Sequence, residues 1–160
     1  MSWETAFLLQ AQSDWQIYKK LNTPNIEDCH RLHYLLMASE KLAKHYLSTV
    51  DNPPEKSHYV LDTFIHSCNF NTDLRNYLGF KDNKKGYVEY LKSIKQTAFE
   101  FLKLVPRDLS SMNVEYPWMN TTRAVMIPCR VNFLSVLNIT TAKMGAFVNF
   151  IERLTQFVKR

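Results

Sequence analysis

A chain of 160 residues with 46% hydrophobic and 22% charged residues is long enough to bury a true core and too apolar to be a disordered segment. Its net charge of +5 permits a weak preference for polyanions without requiring one. Only three glycines and three scattered cysteines are present, which excludes a glycine-rich phosphate loop, a zinc finger and a disulfide framework, and favours helices over tight β-turns.

No apolar run approaches the ~18 residues needed to cross a bilayer. Residues 1–10 include Glu4 and Gln10 and lack a basic stretch ahead of an apolar one, so no signal peptide is expected. The expectation is a cytoplasmic protein with no membrane partner, in which Cys29, Cys68 and Cys129 are reduced thiols.

In chain order, residues 3–21 place Trp3, Phe7, Ala11, Trp15 and Tyr18 in one aromatic stripe, with Asp14, Lys19 and Lys20 off it. Pro24 stops that helix. A second helix is predicted over about 25–50, with Asn25 as its cap and Glu27 and Asp28 in its first turn. Its apolar face is Cys29, Leu32, Leu36, Ala43, Tyr46, Leu47 and Val50, with Lys41 and Lys44 outside it. Pro53-Pro54 breaks the chain. Ser57 caps a third helix over about 58–69, Asn71 a short turn ending at Gly79, and a polar linker at 81–86 leads to a fourth long helix over about 87–105.

Residues 107–140 have no sustained helical period and exceed the roughly 2–8 residues of a bundle connection. Residues 124–133 read as extended, a strand or strand pair broken by Pro128. A last helix over about 142–158 carries Met144, Phe147, Val148, Ile151 and Val158. The whole predicts a mainly α fold, an antiparallel four- to five-helix up-and-down bundle in a single domain at 1–160. The irregular insertion at 107–140, open to β-structure, precedes the last helix.

The strings AFLLQAQSDWQIYKKLN and EDCHRLHYLLMASEKLAKHYL resemble the first two helices of HEPN-domain proteins. The matching residues are Ala11 to Asp14 in the first, and Glu40, Lys41, Lys44 and Leu47 in the second, with His58 at the start of the third helix. The resemblance implies a small helical protein that forms a homodimer. Ribonuclease members of that family carry an arginine followed four to six residues later by a histidine. None of Arg31, Arg75, Arg107, Arg123, Arg130, Arg153 and Arg160 is so followed, and no histidine occurs after His66. The resemblance therefore implies a binding or regulatory module without nuclease activity, with no assigned catalytic residue and no cofactor.

Several constellations remain as candidates beside that reading. Glu27-x-x-His30 and Glu55-x-x-His58 have the spacing that puts two metal ligands on one helix face. A metal-dependent enzyme would use Glu27, His30 and His58, with Glu4, Glu89, Glu100 or Glu152 supplying further carboxylates. The alternative is that acids at helix starts are ordinary. His30 and His33 flank Arg31 and can bind an anion, or sit half-buried beside the apolar stripe. Lys81, Lys84 and Lys85, followed by Lys92, Lys95 and Lys103 with Tyr87 and Tyr90 interleaved, make either a nucleic-acid face or a solvated helix surface. In Glu115-Tyr116-Pro117-Trp118, Tyr116 and Trp118 are large anchors suited to a protein partner or to plugging one end of the bundle.

Overall fold

The computed structural model describes residues 1–49, 59–106, 111–137 and 139–157. Helix α1 (Trp3–Leu21) has the expected bounds, and Ser2 caps it by accepting from the Thr5 N–H at 3.2 Å. Helix α2 (Asp28–Leu47) begins two residues later than an Asn25 cap would have it, with Glu27 at the cap position and no side-chain cap bond. The chain between them is tied as a turn instead, Ile26 N–H donating to Thr23 O at 3.2 Å. Val50, Ser57 and His58, assigned above to the ends of α2 and α3, lie outside the described residues.

Helix α3 (Val60–Cys68) is followed by α4 (Thr72–Tyr77), capped by Asn71 as expected. Gly79, at φ +91, ends α4 with the Phe80 N–H reaching back to Arg75 O, a closure that needs the left-handed conformation glycine adopts without penalty. Helix α5 (Lys84–Leu102) starts inside the polar linker of the sequence reading, because Asn83 caps it through the Gly86 N–H at 2.8 Å. Helix α7 (Thr141–Gln156) is capped by Thr140.

The long helices close a ring. α1 packs on α2, α2 on α3, α3 on α5 and α5 on α7, while α7 returns to both α1 and α2. The mainly helical bundle is therefore as the sequence predicted, with a small antiparallel sheet ahead of the last helix. The core includes Trp15, Leu35, Leu42, Ile65, Tyr87, Phe101, Phe147 and Phe150. The last helix buries Phe150 and Leu154 in addition to the Phe147 and Ile151 of the predicted face.

Polar bonds finish the helix ends. The Tyr46 hydroxyl, stacked on Phe64, donates to the terminal carbonyls of α7, 2.6 Å from Phe157 O and 3.2 Å from Leu154 O. Tyr87 donates to Cys68 O at 2.9 Å. Arg153 donates to Tyr77 O and, at 3.1 Å, to Leu78 O, with its guanidinium over the Tyr77 ring.

Two polar placements differ from the sequence reading. Asp14 and Lys44 are buried rather than solvated, as is Glu40. Lys44 pairs with Glu40 one turn away and lies over the Phe7 ring of α1, and Asp14 accepts from Gln10 at 3.0 Å. The Glu40–Lys44 pairing and the Gln10 hydrogen bond to Asp14 are what let these charges enter a helix interface, because an isolated buried charge costs several kcal/mol.

In the insertion, β1 (Trp118–Met119) and β2 (Val125–Met126) pair antiparallel, Trp118 opposite Met126 and Met119 opposite Val125. Asn120 organises the intervening turn, its side-chain oxygen accepting from the Thr122 N–H, the Thr122 hydroxyl and the Ala124 N–H at 2.8–3.0 Å. The expected extended run at 124–133 is shorter than predicted. Pro128 opens a 3-10 turn (Pro128–Arg130), and Phe133 begins the four-residue α6 (Phe133–Val136), capped by Asn132.

Two outcomes follow. Lys44→Met removes the close cationic partner of buried Glu40, leaving Lys41 at the longer 3.4 Å, and urea unfolding is expected to show a loss of about 3 kcal/mol, the low end for breaking a buried pair. Burial raises Tyr90 and Cys68 to about 12 from ordinary values of 10.0 and 9.0, and raises Tyr46 and Tyr87 as well. The folded state then holds protons that the unfolded chain releases, so stability is intact below pH 9 and falls as pH climbs towards 12. Circular dichroism across that window checks the sign, and Tyr87→Phe should make the fall shallower.

Candidate functional site

The first turns of α2 and the insertion enclose a groove of about 540 Å³, within the range of ligand sites. From α2 come Cys29, His30 and His33, and from the insertion Val114, Glu115, Tyr116, Pro117, Ile127, Pro128 and Cys129. The insertion is anchored where α5 ends, by the Val114 N–H donating to Leu104 O at 2.8 Å. Asn113 then turns the chain by accepting from the Glu115 and Tyr116 N–H groups at 2.7 and 3.0 Å. That turn presents Glu115 to His33, with Oε1 3.0 Å from Nδ1. The contact is at ion-pair distance without hydrogen-bond alignment, so its contribution depends on imidazole protonation.

Two sequence candidates far apart in the chain thus meet. The string at 115–118 divides between its two readings. Trp118 is 8% exposed and packs against Phe133 at 6.1 Å, a plug for this end of the bundle. Tyr116 is 62% exposed at the groove rim. Rim and hairpin together expose Met119 (50%), Val125 (67%) and Ile127 (41%). Met119 and Val125 are cross-strand partners, and Ile127, two residues on in extended backbone, shares the face of Val125.

Arg31 does not join His30 and His33. It turns to a smaller cavity of about 230 Å³, lined by Tyr18, Leu32, Leu134, Met144 and Val148 among others. There it pairs with Asp28 and donates to Asn22 at 3.2 Å, binding the first turn of α2 to the end of α1. Glu27 and His30 are both exposed on the first turn of α2, whereas His58 lies outside the described residues. Among the described residues no three His, Cys, Asp or Glu side chains are placed to hold a metal ion. Of the further carboxylates, Glu100 is paired with Lys103 at 2.7 Å and Glu89 is exposed on α5; Glu152 lies between α7 and α1 beside Gln12 and Lys19, and Glu4, through its carbonyl, meets His45 Nδ1 at 3.0 Å.

The basic residues sit elsewhere. Lys81, Lys84 and Lys85 are exposed where α5 begins, just after α4. That end also holds Tyr77, Phe157 and Tyr46 at the close of α2, the end of the bundle away from the groove. A helix of 20 residues separates the two by about 30 Å. Lys95 is paired with Asp62 at 3.1 Å. Tyr87 is buried and Tyr90 is packed against Phe80 and Phe150, so neither offers a face for base stacking.

The groove also holds two residues that sequence reasoning did not single out as a pair. Cys29 is buried and Cys129 exposed, and both line it. Burial raises the Cys29 thiol above its ordinary value, and charge on Cys129 adds to the rise. No family model, curated protein or solved structure matches the chain. Among the described residues no helix is long and apolar enough to cross a membrane.

The division of the 115–118 string has a direct test in urea unfolding. Trp118→Ala should cost about 3–5 kcal/mol, the penalty for emptying an aromatic site in a core. Tyr116→Ala, at an exposed position, should stay within about 0.5 kcal/mol of the parent.

Proposed function

We propose that this protein is a non-nucleolytic, HEPN-like binding or regulatory module that works as a homodimer, with the groove and its hairpin rim as the contact surface. The observation that carries the reading is the exposure of Tyr116 and Ile127 in the groove wall together with Met119 and Val125 on the adjoining hairpin. Apolar surface left in water costs about 25 cal/mol per Å², and a cluster of large apolar side chains beside a groove is how protein interaction sites present themselves. His30, His33 and Glu115 add titratable groups that orient a partner and contribute little net charge among themselves.

The homodimer and the absence of nuclease activity rest on the resemblance of the first two helices to HEPN proteins and on the missing arginine–histidine pair. In this reading Glu40 and Lys44, which carry that resemblance, act in stability, since they are paired and buried between α1 and α2. The basic start of α5 is a solvated helix end in this reading, since the aromatic side chains near it are committed to the core.

Light scattering at micromolar concentration should give twice the chain mass. The pair Met119→Glu and Val125→Glu should shift it towards monomer without loss of helical circular dichroism. A monomeric parent sinks the dimer. In a companion assay, purified protein should leave RNA intact. Cleavage that disappears with His30→Ala or His33→Ala would overturn the non-nuclease part.

A further inference from the structure

The three thiols take no part in the reading above, and their surroundings separate them. Cys68 is buried on α3, and burial pushes its thiol up to about 12, which leaves it inert. Cys29 and Cys129 share the wall of the groove. The 3-10 turn that carries Cys129 packs on α2, with Cα atoms of the two elements within 8 Å of one another. Buried Pro128 opens that turn and the Val131 N–H closes it on Pro128 O at 3.1 Å, so the turn is held rather than loose. A disulfide needs Cα atoms no more than about 7 Å apart, and the two cysteines line one groove on elements whose Cα atoms already come within 8 Å.

We propose that Cys29 and Cys129 are a modification site, a thiol pair that a low-molecular-weight disulfide oxidises to a reversible link across the groove. This does not depend on what the groove binds. The exposed Cys129 reacts first. Its thiol gives its proton to solvent, and Sγ attacks one sulfur of the reagent. The reagent's S–S bond breaks and one thiolate leaves. Cys29 then loses its proton, and its Sγ attacks Sγ of Cys129. The mixed disulfide breaks and the second thiolate leaves. Two protein thiols are oxidised by two electrons, and one disulfide is reduced to two thiols. Cys29 is left to the second, intramolecular step by its burial in the same wall; its raised thiol lowers the thiolate fraction, so closeness to Cys129 and not acidity carries that step. The link would draw the turn onto α2 beside His30 and His33 and narrow the groove between them.

The test uses the folded full chain at micromolar concentration with oxidised glutathione. Excess reagent is then removed, remaining thiols are alkylated in denaturant, and the peptides are mass-mapped without reduction. The expected result is a chain lighter by two hydrogens, with the Cys29 and Cys129 peptides joined and Cys68 alkylated. Cys129→Ser, an exposed substitution that spares the core, should abolish the link and leave both remaining thiols alkylated. A lasting glutathione adduct on Cys129 beside alkylated Cys29, a link between two chains through Cys129, a link to Cys68, or no reaction at Cys129 would each overturn the proposal. Because the readout is covalent mass, a failed dimer measurement leaves it standing, and its own failure leaves the docking surface standing.

Discussion

The structure depends on helix α2 being enclosed on several sides at once. It touches α1, α3, α7 and the insertion, so a simple amphipathic stripe would leave part of it unsatisfied. Apolar residues cover most of its circumference in contact. At the remaining interface with α1, the chain supplies Glu40 and Lys44, which neutralise one another one turn apart. The neighbouring His45 ties the same interface through its Nδ1 contact with Glu4 O at 3.0 Å. With α2 fixed in this way, its first turn becomes a stable wall, and the insertion can be laid against it.

The helices were legible because their signals are local. The aromatic stripe of α1 and the capping asparagine of α4 act within a few residues; the structure follows the cap and buries the stripe at Ala11, Trp15 and Tyr18, while Trp3 at the helix start is half exposed. The start of α2 was misread because three polar residues, Asn25, Glu27 and Asp28, compete to begin it, and propensity alone does not rank them. The burial of Asp14 and Lys44 was invisible for a different reason. A charged residue is judged solvated by type, yet i,i+4 pairing removes most of the cost of enclosing it.

The site was legible only in fragments. His30, His33 and the 115–118 string each stood out, but nothing local says that they adjoin. Their meeting is made by the Asn113 turn and the Val114 bond to Leu104, contacts whose partners are distant in sequence or lie in irregular backbone. The same is true of Cys29 and Cys129, which read as scattered thiols until the fold brings them to one wall. Tyr87 and Tyr90 left two readings open. Their interleaving with lysine suggested a stacking surface, whereas helical periodicity turns them inward to Cys68 and Phe150.

The hairpin of the insertion is only two residues deep on each side. Strands that short have too few cross-strand contacts to hold their own alignment, and a slip of one residue would reverse every side chain. Trp118 would face water and Met119 the core. What holds the alignment is the set of bonds that Asn120 makes within its turn. The identity of the surface offered to the outside is thus settled by a residue that does not line the groove. Change at position 120 could re-address the protein while every residue of the contact surface stays the same.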